Sequence, residues 1–149
     1  MQFGIKDFSR APSGLFVLNV YRRGELIERV EETNLIVNGS KQVHAKLLGG
    51  DVEDQSITTI AFGTNGTEPA AGNTTLTDAY TKAVDTITYP ETNQVAFGFS
   101  LGADEANGKA IKEFGLFTAG GTLYARKVRS AALNKESDIT LSGSWIIAF

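Results

Sequence analysis

The chain has 149 residues, 42% of them hydrophobic and 21% charged, which is the size and composition of one globular domain with its own core. A formal net charge of -3 leaves no surplus of basic residues and argues against a protein that binds the nucleic-acid backbone. With no cysteine and a single histidine, disulfides, thiolate metal sites, cysteine nucleophiles and mechanisms that need two histidines are excluded.

The first residues form a polar leader without the apolar block of a signal peptide, and no apolar run reaches the roughly 20 residues that cross a bilayer. We therefore expect a soluble chain with no membrane insertion. Phe3, Ile5 and Phe8 are apolar residues of this leader that no core pattern explains. They predict that residues 1–13 are an N-terminal docking arm and that residues 14–149 form a single domain.

That domain has the pattern of an all-β protein, because its short apolar runs are separated by clusters of Gly, Asn and Asp. Residues 14–32 predict an N-terminal hairpin whose second strand has no clean apolar face. Leu26, Ile27 and Val30 of that strand therefore predict a sheet edge or an interface.

Further strands follow along the chain. They are predicted over residues 33–37, 56–63, 85–89, 94–101, 111–117, 123–128 and 138–149. A short helix is predicted over residues 41–48, with Asn38 or Ser40 as its N-cap and residues 49–50 as its end. Residues 74–83 are rich in threonine and stay open between helix, turn and strand. The expected architecture is an antiparallel β-sandwich with one or two short helices.

The last predicted strand ends in a strongly apolar sequence that includes Trp145 and Phe149. Leaving such side chains in water would forfeit roughly 1.5–3 kcal/mol for each large one. Phe149 is therefore expected inside the sheet or in a subunit contact. Phe114 and Tyr124, which lie in the two strands around the glycine turn near residue 120, complete the predicted interface residues.

Several features resemble chemical sites, and each has a simpler interpretation. The acidic residues 51–54 lack the spacing and glycine of a calcium loop, so a solvated connection is favoured. His44 has no carboxylate placed by the sequence to orient it as a base. Residues 142–144 resemble part of a nucleophile elbow, but no histidine follows them. We predict no catalytic residue, no metal and no cofactor.

The aromatic residues permit one other kind of site. Tyrosines outside the predicted core could stack on sugar rings, and the more open candidates are Tyr21, Tyr80, Tyr89 and Tyr124. A glycosidase that uses only Asp and Glu residues is a more distant alternative.

The order of several short sequence segments along the chain is more distinctive than any one segment. The segments are residues 57–63, a loop with Pro69, residues 73–76, 105–108, 111–117 and 121–125, and Lys135. This order resembles the N-terminal domain of bacteriophage tail-collar fibre proteins and related small tail, baseplate and fibre-adaptor proteins. The resemblance covers roughly residues 33–149.

The resemblance implies a non-enzymatic virion structural protein, made in the cytoplasm of the bacterial host. Such a subunit acts by self-assembly and by contacts with neighbouring virion proteins. A homotrimer is implied, although a ring of six is equally compatible with the residues. The alternatives are a capsid decoration, collar or head-fibre protein, or a carbohydrate-binding module that touches a host-surface glycan.

Overall fold

A computed structural model describes residues 11–149 of the chain. Phe3, Ile5 and Phe8, with most of the predicted docking arm, lie outside the described residues. The described part contains strands β1 (Ser13–Arg22), β2 (Glu25–Ile36), β3 (Ile57–Gly63), β4 (Tyr80–Ala83), β5 (Thr86–Thr88), β6 (Gln94–Leu101), β7 (Ala110–Thr118), β8 (Leu123–Asn134) and β9 (Ile139–Ala148), and helix α1 (Gly39–Gly49). The prediction of an all-β chain with a short helix is confirmed.

The nine strands form one antiparallel sheet in the order β4-β3-β7-β8-β2-β1-β9-β6-β5. Strand β2 joins the two halves, because it pairs with β1 over most of its length while only Leu35 and Ile36 pair with β8. The sheet curls at this strand. Since the strands form one continuous sheet, the sandwich of two separate sheets stays a prediction.

Aromatic rings from both halves of the sheet fill the inside of the curl. The ring centroid of Phe16 in β1 lies 4.7 Å from that of Phe114 in β7 and 5.0 Å from that of Trp145 in β9. Phe62 in β3 meets Phe99 in β6 at 6.1 Å. All five rings are buried. Phe114 was predicted at an interface, but a ring with no exposed surface offers nothing to a partner, and Phe114 is a core residue.

Three elements differ from the predicted pattern. The second strand of the predicted hairpin and the strand predicted over residues 33–37 are one continuous strand, β2. The undecided residues 74–83 contain strand β4 and no helix. Strand β8 continues past the predicted residue 128 to Asn134, because Leu133 and Asn134 pair again with β7. Residues 129–132 form a bulge between these pairs and the pair that Val128 makes. A bulge of this kind re-aims side chains, and here it turns Arg129 toward β2.

Helix α1 begins after Asn38, which is its N-cap without a side-chain hydrogen bond, and ends at Gly49, with Gly50 as its C-cap. Gly50 has a φ of 85°, the left-handed conformation that favours glycine, so both predicted ends are confirmed. A Cβ on Gly39 would meet the carbonyl oxygen of Leu123 at 2.6 Å. Glycine therefore lets the helix start close against β8.

Gly143 lies in the middle of β9, so residues 142–144 are strand and not the strand-to-helix turn of a nucleophile elbow. A Cβ at this position would meet the carbonyl oxygen of Val17 at 2.3 Å and the ring of Phe99 at 2.5 Å. The glycine serves the packing of β9 between β1 and β6.

Candidate functional site

An apolar groove opens between α1 and the ends of β6 and β9. It is a cavity of about 350 Å³, and its lining includes Val43, His44, Leu47, Tyr89, Ile147 and Phe149. We call it the α1 groove. Helix α1 forms one wall, and the strands of the β5–β6 hairpin and β9 form the other. Residues 55–57 and Tyr124 complete the lining, so five separate stretches of sequence meet at one site.

The rim of the α1 groove exposes large apolar side chains. Leu47 is 42% exposed, Ile87 47%, Phe149 54% and Tyr89 76%. Apolar side chains exposed singly are common on protein surfaces, but several that surround one groove mark an interaction site. The α1 groove has the character of a docking surface for an apolar partner.

A neutral polar pair lies inside the groove. The Nε2 atom of His44 lies 2.7 Å from the hydroxyl oxygen of Tyr124, and the ring of Phe149 meets the His44 ring edge-on at 5.7 Å. Burial lowers the pKa of His44 and raises the pKa of Tyr124. Both groups are therefore uncharged at neutral pH, which suits an apolar ligand better than an ionic one.

Acidification is expected to destabilise the chain through His44, its single histidine. Burial places the pKa of His44 in the folded chain below its ordinary value of 6.5, so the unfolded chain takes up the proton first. The free energy of unfolding should decrease as the pH falls through 6.5, until the lower folded pKa is passed. Urea denaturation across this range measures the slope.

A His44→Gln variant is the control, because glutamine keeps a polar group at this position and does not titrate. Its free energy of unfolding should be nearly independent of pH in the same window. If the variant retains the slope of the wild type, another group causes it.

The predicted interface residues lie in different places. Phe149 is at the rim of the α1 groove, and Tyr124 is buried, with its hydroxyl group and ring edge against His44 in the groove. Leu26 and Ile27 are exposed at the tip of the β1–β2 hairpin, at the opposite end of β1 from Phe149. Val30 is half-buried against the main core. The structure thus divides these residues between two surfaces and the interior.

Sequence reasoning did not place Leu47, Ile87 or Tyr89 at an interface. Val43 and Leu47 are four residues apart and so share one face of the predicted helix, a pattern that indicates burial against the sheet and not exposure at a groove. Tyr89 was singled out only as a sugar-stacking candidate. The predicted hairpin that contains Tyr89 gave no information on the position of α1, which lies across the groove from it.

A buried ion pair fastens a loop to β7 and β8. The Nε atom of Arg126 donates to Glu113 at 3.0 Å, and the other carboxylate oxygen of Glu113 accepts the backbone N–H groups of Asn65 at 2.8 Å and Thr77 at 2.9 Å. Arg126 also donates to the side chain of Asn73 and the carbonyl of Asn65. Since both ions are buried and bound to each other and to the loop, their role is structural.

The basic cluster near residue 127 is dispersed by the fold. Arg126 points into the loop contact, Lys127 binds Glu32 at 2.6 Å and Arg129 binds both carboxylate oxygens of Glu28 at 2.7 and 3.1 Å. Each cation is thereby paired with an acidic side chain. The three residues make no unpaired basic patch.

A second cavity of about 690 Å³ lies where β2 and β8 diverge. Three carboxylates line it: Glu28 is bound by Arg129, Glu32 is bound by Lys127, and Glu68 is exposed. The hydrogen bond from Arg129 lowers the pKa of Glu28, whereas the general acid of a glycosidase needs a raised pKa. The charges of this cavity fit a structural contact between strands.

The acidic residues 51–54 form a turn. Asp54 has a φ of 59°, and its carbonyl oxygen accepts the N–H of Gly120 at 3.0 Å. Within residues 11–149, no group of three His, Asp or Glu side chains is arranged to hold a metal ion.

No helix in the described part of the chain has the length and hydropathy needed to cross a membrane. Comparisons with models of protein families, with curated proteins and with solved structures found no match to this chain.

Proposed function

We propose that this chain is a non-enzymatic structural subunit of a bacteriophage particle, which assembles through the α1 groove with copies of itself and with neighbouring virion proteins. The exposed apolar rim of Leu47, Ile87, Tyr89 and Phe149 is the observation that carries the proposal. The resemblance favours a tail, baseplate, collar or fibre-adaptor position and a trimer. A ring of six and a position on the capsid fit the same surface.

The chemistry of the rim supports association through side chains. Large aromatic residues at the centre of an interface commonly provide most of its binding energy, and Tyr89 and Phe149 are such residues. The two edge strands offer little main chain, because β4 has four residues and β5 has three. Short edges disfavour association by strand addition. The α1 groove is therefore the better surface for a specific contact.

Replacing Tyr89 by alanine is expected to weaken self-association, because it removes the most exposed aromatic ring of the rim. Loss of an interface hot spot of about 2 kcal/mol raises a dissociation constant roughly 30-fold. Light scattering and sedimentation of the full chain over a range of concentrations measure this change. The free energy of unfolding should stay close to that of the wild type, since Tyr89 is largely exposed.

Ile27→Ala is the matched control, because Ile27 is 51% exposed on the distant hairpin tip. It should leave the oligomer unchanged. A wild-type chain that stays monomeric at every concentration contradicts self-assembly. An oligomer that responds to Ile27 and not to Tyr89 contradicts the α1 groove as its interface.

One observation favours a second function, that of a carbohydrate-binding module. Beside the open ring of Tyr89, the groove is lined by Thr92, Asn93 and Gln94, whose polar groups could bind sugar hydroxyls. Titration calorimetry with host-surface glycans tests this function. Binding that Tyr89→Ala abolishes in a monomeric chain would favour it over assembly.

A further inference from the structure

The segment before β1 leaves the sheet beside the α1 groove. Ser13 pairs with Ala148, and Ala148 pairs on its other side with Gln94. Gln94 and the next residue of the chain after Ala148, Phe149, both line the groove. Residues that precede Ser13 therefore depart at the level of Phe149.

Pro12 sets the direction of departure. Proline has a fixed φ near −65°, and its ring biases the preceding residue, Ala11, toward extended backbone. Ala11 and Pro12 therefore prolong the line of β1 out of the domain. A segment that leaves the domain in this direction can reach the groove of a neighbouring copy.

The segment has the reach and the side chains for such a contact. Ten extended residues span at most about 33–36 Å, and a small domain is about 30 Å across. Phe3, Ile5 and Phe8 supply apolar side chains that the described core does not need. The groove, at about 350 Å³, lies within the range of pockets that hold small apolar ligands.

The segment and the sequence around the groove differ in net charge. The segment carries Lys6 and Arg10 against Asp7, a net charge of +1 from its side chains. Along the chain, the nearest charged neighbours of the groove residues on α1 and around Gln55 and Thr92 are the bases Lys41 and Lys46 and the acids Asp51, Glu53, Asp54 and Glu91. This net acidic sequence favours a basic, apolar segment.

We propose that residues 1–10 of one copy bind in the α1 groove of a neighbouring copy, with their apolar side chains against Leu47, Tyr89 and Phe149. This inference rests on the proposed function and names the part of the partner that enters the groove. Each copy then gives one segment and receives another, which fits a reciprocal pair or a closed ring of copies.

Disulfide trapping tests the contact directly, because the chain contains no cysteine of its own. Full-length Ser9→Cys and Leu47→Cys variants are mixed under mild oxidation, and linked peptides are identified by mass spectrometry. Docking raises the local thiol concentration to about millimolar, so this pair should link at least about tenfold faster than Ser9→Cys with Arg23→Cys. Arg23 is the control because it is exposed at the far hairpin turn.

A second variant shows whether the apolar side chains direct the contact. Adding Phe3→Ser and Phe8→Ser to the Ser9→Cys chain should reduce the linking rate to that of the Arg23→Cys control. These changes fall outside the described sheet, and an unchanged circular dichroism spectrum checks that the chain still folds. Unchanged linking would overturn the proposal.

The outcomes separate this inference from the proposed function. An oligomer that forms in light scattering without preferential Ser9–Leu47 linking overturns the segment contact and leaves self-assembly standing. A chain carrying both Ser9→Cys and Leu47→Cys that links only within itself overturns the exchange between copies. A monomer at all concentrations overturns both.

Discussion

Glu113→Ala is expected to lower the free energy of unfolding by about 3–5 kcal/mol, because it leaves the buried guanidinium of Arg126 without its carboxylate. The same change removes the acceptor of the backbone N–H groups of Asn65 and Thr77. The loop that these residues begin and end should then detach from β7. Urea denaturation followed by circular dichroism measures the loss.

Two further variants serve as controls for Glu113→Ala. Asp138→Ala removes an exposed ion pair with Arg22, 3.5 Å long, and should cost at most about 1 kcal/mol. The double variant Glu113→Ala with Arg126→Met should recover part of the loss, because no buried charge remains unpaired. A Glu113→Ala cost as small as that of Asp138→Ala would contradict the structural role of the buried pair.

Phe114→Ala is expected to cost about 3–5 kcal/mol of the free energy of unfolding, whereas Phe149→Ala should cost far less. Phe114 is fully buried against Phe16 and Phe62, so its removal leaves a cavity in the core. Phe149 is 54% exposed, and its removal changes mainly the rim of the α1 groove.

Unfolding must be measured at protein concentrations where the wild type is monomeric, so that association does not add to stability. Under those conditions the two phenylalanines separate a core residue from an interface residue. Phe149→Ala should weaken self-association while leaving the fold intact. A larger loss of stability from Phe149→Ala than from Phe114→Ala would contradict both assignments.

The elements of this fold could largely be predicted from local patterns. The helix has a glycine in the left-handed conformation at its end, and Gly50 signalled that end in the sequence. The apolar ending of β9 correctly indicated a strand. The order of strands could not be predicted. Alternation of apolar residues indicates the face of the sheet on which each side chain lies, but it does not identify the strand that pairs with it.

Strand β7 shows why the burial of a single residue could not always be predicted from the sequence. Glu113 and Phe114 are consecutive and point to opposite faces, yet both are fully buried. The face of Phe114 meets the aromatic core, and the face of Glu113 is covered by a loop held through Arg126. A charged residue in a strand is ordinarily expected to be exposed to solvent. Glu113 is buried because Asn65, Thr77 and Arg126 bind it, and all three lie in other elements of the chain.

The candidate site was only partly predictable for the same reason. Phe149 was expected in the sheet or at a contact because its sequence neighbours are apolar. Leu47 and Tyr89 belong to separate elements; the pairing of β6 with β9 brings Tyr89 near Phe149, and the packing of α1 across these strands, on the curled sheet, brings Leu47 there. Local patterns contain no information on that curvature.

The position of β9 has a consequence for folding during protein synthesis. This strand lies between β1 and β6, although β1 is made first and β9 last. Until residues 139–148 leave the ribosome, β1 and β6 each present an unpaired edge, and such edges are prone to aggregation. Completion of this half of the sheet therefore waits for the synthesis of β9, and a nascent chain stalled before Ile139 should depend on chaperones to stay dispersed.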